Sequence, residues 1–446
     1  MLQSVLVANR GEIARRVIRG CRALGVRTVA VYSEADTGWP HVADADEAVL
    51  IGPAPARESY LDVERILDAA RRTNAQAVHP GYGFLSENWR FAQACEAAGL
   101  IFIGPSWRVI QQMGDKIGAR RLLADAGVPV VPGSEGPVDS VEAAREVAGR
   151  IGYPVMIKAA AGGGGIGMMR VKDEAGLAAA FASAQRRAQS AFGSGALFVE
   201  RFLEAPRHVE IQVFGDTGGR VVHLHERECS IQRRHQKLVE ESPAPNLSAA
   251  LKARLTEAAV AGARAVGYVN AGTMEFIVRG DEFYFLEMNT RLQVEHPVTE
   301  EVTGLDLVAA QLRVAAGEPL PWSQEQVAQR GASIECRIYA EDPAKGFLPS
   351  PGRITRLVLP DGPGVRLECG VAEGVEVTVH YDPLLAKLIT TGATRDEAIA
   401  RMSAALEGFV VEGVKTAIPF QQRVMRSAAF RAGVVHTQMV EQGAFA

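Results

Sequence analysis

The sequence predicts a mixed α/β and α+β protein that is divided into several domains. Its 446 residues suffice for roughly two to four domains of ordinary size. Residues 4–36 read as strand, helix and strand, which is the repeating unit of a parallel sheet. From about Gly331 the pattern changes to short predicted strands with frequent glycine and proline. We therefore expect an N-terminal doubly wound, Rossmann-like domain and a β-rich C-terminal domain closed by helices near residues 394–408 and 417–427.

The first strand–helix–strand unit carries the apolar spacing of both element types. Apolar runs at residues 5–8 and 28–32 read as strands, and the apolar residues with helical spacing between them are Ile13, Val17, Cys21 and Leu24. The turn after the first strand, Asn9 to Glu12, lacks the GxGxxG pattern that lets a pyrophosphate approach the backbone, which disfavours a dinucleotide-dependent dehydrogenase. Two further strands are predicted within residues 75–88 and 99–106.

Composition and charge exclude several classes of protein. The net charge of −4 gives no general attraction to nucleic acid or to an anionic membrane. No uncharged apolar run approaches the ~18 residues of a membrane span. The five cysteines are odd in number, scattered and without CxxC spacing, which favours reduced thiols over a disulfide framework or a zinc site. We expect a soluble cytoplasmic protein that binds neither nucleic acid nor membrane.

The middle of the chain is predicted to begin with a helix from about Lys116 to Ala126, which ends at Gly127 and Pro129. Residues 130–203 then read as strand, glycine loop, strand, helix and strand. Residues 207–300 are predicted to be rich in strands and carry most of the polar alternation.

Four consecutive glycines, Gly162 to Gly165, form a loop between two apolar strands. The unshielded N–H groups of such a loop can fold over phosphate oxygens, and Lys158 just before it supplies a counter-charge. A flexible linker is the alternative interpretation. The Walker A pattern GxxxxGK[ST] is absent, so a P-loop is disfavoured. The position inside a short inter-strand loop favours phosphate binding.

A β-hairpin is predicted around Arg279-Gly280-Asp281, with Glu275 on its first strand and Glu287 on its second. A three-residue loop brings Glu275 opposite Glu287 or Phe285, so that both carboxylates share one face, whereas a two-residue turn would separate them. Two close carboxylates on a dry strand pair need a cation between them, and Mg²⁺ prefers such oxygen ligands. Asn289 offers a further oxygen.

Polar residues then occupy every second position of the segment that follows, at Glu287, Asn289, Arg291, Gln293 and Glu295. In an extended chain these five side chains share one face. The solvated face of an edge strand is the simpler interpretation. A functional face is the alternative, because acid, amide and guanidinium groups in a row suit the binding of ions.

A charged segment, residues 226–237, contains the basic run Arg233 to Lys237. A nucleic-acid patch is disfavoured because Glu240 and Glu241 follow at once, whereas a pocket for a small anion remains open. Upstream, His208, Glu210 and Gln212 alternate on one predicted strand, where a lone histidine is more often a structural hydrogen-bonding residue than a ligand.

Nearly the whole chain resembles the biotin carboxylase component of biotin-dependent carboxylases, which are members of the ATP-grasp superfamily. Several long blocks carry this resemblance: VLVANRGEIARRVIR, HPGYGFLSEN, GDK, KAAAGGGGIGM, PRHVEIQV, CSIQRRHQKLVEESPAP, EMNTRLQVEHPVTE and ECRIYAEDP. The resemblance implies an N-terminal domain at residues 1–113, an ATP-grasp domain at 114–330 with a mobile glycine-loop lid at about 131–203, and a C-terminal domain at 331–446.

The resemblance also implies roles for individual residues. Expected ATP contacts are Lys116, Lys158, Gly162, Gly163, Gly164, Gly165, Gly167, Glu200, Leu203, His208, Gln232 and His235. Expected Mg²⁺ or Mn²⁺ ligands, for two ions, are Glu275, Glu287 and Asn289. The expected bicarbonate pocket is Lys237, Arg291, Gln293 and Val294, with Glu295 as general base and Arg337 beside the ureido oxygen of biotin. Two positions depart from the family's pattern: Ile166, where Arg or Lys is common, and Arg201, where Lys is common.

The implied activity is the ATP- and bicarbonate-dependent carboxylation of biotin N1′ through carboxyphosphate, giving ADP and phosphate. This is the first half-reaction of acetyl-CoA carboxylase or of another biotin-dependent carboxylase. The implied partners are a biotin carboxyl carrier protein, a carboxyltransferase and a second copy of the chain in a homodimer. Because the sequence has no Met-Lys-Met attachment motif, the carrier is expected outside it. The alternatives are another ATP-grasp ligase that forms an acyl phosphate, and a nucleotide-binding subunit without turnover.

These assignments predict a bend in the backbone. Fully extended, Glu287 and Glu295 would lie up to roughly 26 Å apart, which is farther than a triphosphate end and a bicarbonate require. The chain is therefore expected to bend or bulge between Asn289 and Glu295.

Overall fold

The computed structural model describes residues 1–159 and 168–445. Its N-terminal region is a parallel sheet with strand order β3-β2-β1-β4-β5, covered by helices. The strands β1 to β5 are Ser4–Val7, Arg27–Ser33, Glu47–Gly52, Ala77–His79 and Ile101–Phe102. The helices α1 to α5 are Gly11–Ala23, Pro40–Asp44, Val63–Arg72, Trp89–Ala97 and Trp107–Gly114. The predicted doubly wound domain is confirmed.

The central region contains a small antiparallel sheet and the first part of a large one. The helices α6 to α11 are Lys116–Asp125, Val141–Ile151, Leu177–Phe192, Ala249–Ala265, His296–Thr303 and Leu307–Ala315. The strands β6 to β13 are Val155–Ala159, Met169–Val171, Leu197–Arg201, Arg207–Gly215, Val221–Arg233, Gln236–Ser242, Asn270–Arg279 and Glu282–Asn289. The small sheet has the order β7-β6-β8.

Helix α9 interrupts the region that was predicted to be rich in strands. Ser248 caps it by accepting a hydrogen bond from the Leu251 N–H, and residues at four-residue spacing, Leu251, Leu255, Ala259 and Ala263, are buried. Because these residues pack against the large sheet, the stretch forms a helix although the segments on either side of it form strands.

The C-terminal region extends the large sheet. The strands β14 to β22 are Ala332–Tyr339, Glu341–Asp342, Leu348–Pro349, Gly352–Arg353, Arg356–Val358, Val365–Cys369, Glu376–Val377, Leu384–Gly392 and Val410–Glu412. The helices α12 to α14 are Arg395–Gly408, Ile418–Arg426 and Ala428–Arg431, so both predicted closing helices are confirmed. In the described part of the chain, the large sheet is antiparallel with the order β13-β12-β9-β10-β11-β14-β21-β19.

The hairpin of β12 and β13 differs from the prediction in its turn. Arg279 pairs with Glu282, so the turn has two residues, not three, and Gly280 takes a positive φ of 58°. Such a turn would put Glu275 opposite Leu286. A β-bulge at Leu286 adds one residue to β13, however, and the register shifts so that Glu275 pairs with Glu287. The predicted pairing of carboxylates is confirmed, but the bulge produces it.

The predicted bend is also present. β13 ends at Asn289, residues 290–295 leave the strand, and α10 begins at His296 with Pro297 in its first turn. All five cysteines are buried and unpaired. Among the described helices, none is long and apolar enough to cross a membrane.

Candidate functional site

A cavity of about 1350 Å³ opens between the small sheet and the large sheet. Every predicted site residue within the described ranges lines it. These residues are Lys116, Lys158, Glu200, Leu203, His208, Gln232, His235, Lys237, Glu275, Glu287, Asn289, Arg291, Gln293, Val294, Glu295 and Arg337. The predicted glycine-loop contacts Gly162 to Gly165 and Gly167, together with Ile166, lie outside the described residues.

A row of charged residues, directly paired across four neighbouring strands, ends at the cavity floor, which Glu275 and Glu287 line. Arg227 on β10 pairs with Glu210 on β9, Glu210 with Glu275 on β12, and Glu275 with Glu287 on β13. Directly paired residues point to the same face of a sheet, so three carboxylates lie side by side. This row can persist only with cations around it.

Lys237 is the cation that the carboxylates of Glu210, Glu275 and Glu295 share. Its Nζ lies 2.5 Å from Glu210 Oε2, 2.8 Å from Glu275 Oε1 and 2.6 Å from Glu295 Oε1. Burial alone would lower the pKa of Lys237, but the three carboxylates outweigh it and hold this pKa well above its usual value. Lys237 therefore stays charged.

Glu295 lies between two cations. Its second oxygen, Oε2, accepts a 2.9 Å hydrogen bond from Arg337 Nη2, and Arg337 Nε donates to Glu240 over 2.5 Å. Burial acts to raise the pKa of Glu295, but Lys237 and Arg337 together hold it well below its usual range. The carboxylate is thus ionised, as a base must be before it takes a proton.

The other end of the row is suited to a metal ion. The Glu287 carboxylate faces the cavity, and burial together with the charge of Glu275 raises its pKa. A divalent cation between these two carboxylates would remove their repulsion. Asn289 donates from Nδ2 to Glu275 Oε1 over 2.9 Å, and its Oδ1 is an additional oxygen next to the two carboxylates. Three oxygen ligands of this kind suit Mg²⁺ or Mn²⁺.

Glu210 lies beside the predicted metal ligands and was not among the predicted site residues. Together with His208 and Glu275 it forms a group whose ligand atoms lie within 4.8 Å of one another. The alternation of His208 and Glu210 on β9 was visible in the sequence. The pairing of β9 with β12, which puts Glu210 beside Glu275, was not.

Arg291 is anchored by Glu87, which was also missed. Glu87 Oε2 lies 3.1 Å from Arg291 Nε, and Glu87 Oε1 accepts a 3.0 Å hydrogen bond from the Thr290 N–H. Arg291 Nη2 also donates to Asn289 Oδ1 over 2.8 Å. Glu87 comes from the N-terminal region, so that region fixes the segment where β13 ends.

Lys387 holds the same segment from the opposite side. Its fully buried Nζ donates a 2.7 Å hydrogen bond to the Val294 carbonyl and lies 3.3 Å from Glu12 Oε2. A lysine within the apolar run LLAKLI was the available signal, because a charged residue inside a buried strand requires partners.

The end of the cavity beside the small sheet contains a second charge cluster. Glu200 Oε2 lies 2.5 Å from Lys158 Nζ, and Glu200 Oε1 lies 2.5 Å from Arg120 Nη1. Burial would raise the pKa of Glu200, but these two cations lower it. Arg120 was missed, although it follows Lys116 by four residues on α6 and therefore shares its face.

Comparisons with known proteins agree over the whole chain. Residues 1–110 match the family described as "Biotin carboxylase, N-terminal domain", residues 115–323 "Carbamoyl-phosphate synthase L chain, ATP binding domain", and residues 335–442 "Biotin carboxylase C-terminal domain". The chain is 53% identical to biotin carboxylase 2 of Bacillus subtilis over 443 residues, which cover 99% of this chain and 100% of that protein.

Two solved structures share the fold. The biotin carboxylase domain dimer of Hydrogenobacter thermophilus 2-oxoglutarate carboxylase, in complex with MgADP, ADP and bicarbonate, superposes with a TM-score of 0.93 at 49% identity and covers 100% of this chain and 99% of that one. A biotin carboxylase complex with β,γ-ATP from Campylobacter jejuni gives a TM-score of 0.94 at 46% identity, covering 99% of each chain. The predicted fold class is confirmed.

Proposed function

The chain belongs to the biotin carboxylase family, and we propose that it carboxylates the ureido N1′ of biotin with ATP and bicarbonate, giving ADP and phosphate. One observation carries this proposal. Glu275 and Glu287, at one end of the row, meet Lys237 and the bent segment 291–295 in a single cavity. A metal-phosphate site thereby adjoins a pocket for a small anion.

The nucleotide is assigned to the outer part of the cavity. Lys116 and Lys158 would contact the phosphates, and Glu200 with the Leu203 backbone would contact the adenine. His208, Gln232 and His235 would contact the ribose or phosphates. Lys158 must leave Glu200 to reach a phosphate, and Arg120 remains to pair that carboxylate.

Glu275, Glu287 and Asn289 would hold one or two Mg²⁺ or Mn²⁺ ions. When bound, such ions neutralise charge on the phosphoryl group during its transfer.

Bicarbonate is assigned to Lys237, Arg291, Gln293 and the Val294 backbone. Glu295 takes its proton, and the cations hold the resulting anion in line with the γ-phosphate. A strongly depressed pKa makes Glu295 a weak base while Lys237 and Arg337 both contact it. A bound anion would interact with the Lys237 ammonium and weaken its effect on Glu295. The pKa of Glu295 would then rise, which makes it a stronger base.

Carboxyphosphate then breaks down to CO₂ and phosphate inside the cavity. Phosphate takes the N1′ proton of biotin, and the resulting anion attacks CO₂. Arg337, which is held by Glu240 and Glu295, would stabilise the negative charge that develops on the ureido oxygen.

The test is ADP formation by the full chain with Mg²⁺, bicarbonate and free biotin. We expect turnover that requires bicarbonate and rises with biotin. Arg337→Ala should lower biotin carboxylation by about 10²–10³, as for loss of one oxyanion donor. A near-normal rate would remove Arg337 from the reaction. Turnover that needs a different carboxylic acid and an amine would indicate the acyl-phosphate ligase instead.

The remaining assignments follow from the family. We propose domains at residues 1–113, 114–330 and 331–446, with the last two sharing the large sheet. We propose a homodimer that works in the cytoplasm with a biotin carboxyl carrier protein and a carboxyltransferase. The carboxyltransferase would select the final acceptor, such as acetyl-CoA.

A further inference from the structure

Arg227 is a fully buried arginine whose every N–H group has an acceptor. It lies beneath the cavity floor and is not among the described residues that line the cavity. Its partners are Glu210 Oε1 at 2.5 Å, Gln212 Oε1 at 2.8 Å, Thr299 Oγ1 at 2.9 Å, Thr273 Oγ1 at 3.1 Å and Gln293 Oε1 at 3.2 Å. Its guanidinium is therefore held in one orientation.

The contact with Gln293 determines which way that amide points. A glutamine amide has one accepting and one donating end, and a 180° flip exchanges them. Gln293 Oε1 faces Arg227 and lies 3.5 Å from Lys237 Nζ, and both of these groups can only donate. Gln293 Nε2 is consequently directed at Glu275, which lines the cavity, and donates to Glu275 Oε1 over 2.9 Å.

We propose that Arg227 is a positioning residue that fixes the Gln293 amide so that its NH₂ group, and not its oxygen, is presented to bicarbonate. This inference rests on the proposed function. An anion needs donors, and a flipped amide would turn its oxygen toward the negative charge. Arg227 thereby favours the binding of a small oxyanion through Gln293, without contacting the oxyanion itself.

The first test is Arg227→Lys, which keeps the charge beside Glu210 but loses the fork that reaches Gln293. We expect the KM for bicarbonate to rise at least about tenfold, the size of one lost hydrogen bond to a charged group, with the KM for ATP nearly unchanged. The control is Arg10→Lys, because Arg10 is a buried arginine paired with Asp36 away from the cavity. It should leave both constants unchanged.

The second test separates positioning from general packing. In a Gln293→Ala background, Arg227→Lys should no longer change the KM for bicarbonate, because the amide through which it acts is gone. Thr299→Val removes one acceptor of Arg227 and nearly conserves shape. It should raise the same constant roughly threefold, again only when Gln293 is present. If Arg227→Lys does not fold, the Thr299→Val cycle decides.

The outcomes distinguish the two proposals. A wild-type chain without bicarbonate-dependent ADP formation would refute the proposed function. If the wild-type chain is active but Arg227→Lys leaves the KM for bicarbonate unchanged, the inference is refuted and the proposed function stands. The inference would equally fail if the variants raise the KM for ATP as much, or have the same effect in the Gln293→Ala background.

Discussion

The two main sheets of this molecule differ in the side chains that their second faces bury. The N-terminal parallel sheet buries apolar residues on both faces, with Val5, Leu6 and Val7 fully enclosed. The large antiparallel sheet packs one face against apolar residues, whereas its other face encloses charged groups such as Arg227 and Lys387. The first arrangement stabilises a fold, and the second holds charges in place at a cost in stability.

This difference explains how the site is organised. Charges aimed in advance at the reacting groups need no reorganisation during the reaction, provided that water is excluded and each charge has a partner. The row from Arg227 to Glu287 meets that condition at one end through Arg227 and Lys237. At the other end, Glu287 is a proposed metal ligand. The contrast between the sheets can be tested one side chain at a time.

The largest effect on stability is expected for Lys237→Met. Removal of Nζ leaves Glu210, Glu275 and Glu295 without their common cation, each within 2.8 Å of its position. Breaking a buried ion pair at one partner costs about 3–5 kcal/mol, so the free energy of unfolding in urea should fall by about 4 kcal/mol. ADP formation should also be lost.

The matched control is Lys415→Met, because Lys415 is exposed. It should change the free energy of unfolding by less than about 0.5 kcal/mol. If Lys237→Met lowered the free energy of unfolding no more than this control does, the three carboxylates would not need Lys237 to stay buried together.

A slightly smaller loss is expected in the parallel sheet from Leu6→Ala. Leu6 is fully buried among apolar side chains, and such a truncation leaves a cavity. The free energy of unfolding should fall by about 3 kcal/mol, with the KM for bicarbonate unchanged. A large change in that KM would show that the two sheets are not separable in function. Leu348→Ala, at a site that is 59% exposed, serves as the control and should have little effect.

The parallel sheet was predictable from sequence because its strands and α1 carry simple apolar periodicity. The acidic hairpin was predictable in part, since Glu275 and Glu287 lie on strands joined by a short turn. The bulge at Leu286 was not, because nothing in the local sequence distinguishes a three-residue loop from a two-residue turn with a bulge. Helix α9 was hidden by the strand patterns around it.

The missed site residues share a physical reason. Glu210, Arg227 and Lys387 act through strands or segments distant in sequence, and alternation on one strand does not reveal the neighbouring strand. Glu87 contacts Arg291 from 204 positions away. Only the resemblance to a family could assign residues across such distances, and it named the proposed substrate contacts but not the residues that pair with them.

Glu12 joins the two regions and should make stability depend on pH. It lies on α1 and faces Lys387 of the large sheet. Burial raises the pKa of Glu12 from 4.5 to about 7, although Lys387 opposes the shift. The folded protein therefore holds this proton more tightly than the unfolded chain, so the contribution of Glu12 to stability is present at low pH and is lost as the pH rises toward 7.

The measurement is urea unfolding of the wild type and of Glu12→Gln at about pH 5 and pH 7. Glutamine has no proton to lose, so Glu12→Gln should gain about 2 kcal/mol relative to the wild type between these two values. The difference between the proteins cancels the other titrating groups. A difference that stays constant or falls with pH would contradict the assigned direction.

The smallest effect on stability is expected at an ion pair that is exposed to water. Arg356 and Glu412 are paired directly across β18 and β22, as Arg227 and Glu210 are across β10 and β9. The outer pair has a 3.3 Å contact between side chains that are 60% and 54% exposed, whereas the inner pair is fully buried.

Arg356→Ala should therefore lower the free energy of unfolding by less than about 1 kcal/mol, and the loss should shrink further in high salt. A double-mutant cycle with Glu412→Ala measures the pair itself. A coupling above about 2 kcal/mol would mean that residue type and register, which the two pairs share, determine the strength of such contacts. A small coupling would show that residue type and register alone do not make such a contact strong, and that the burial and the additional hydrogen bonds of Arg227 are needed.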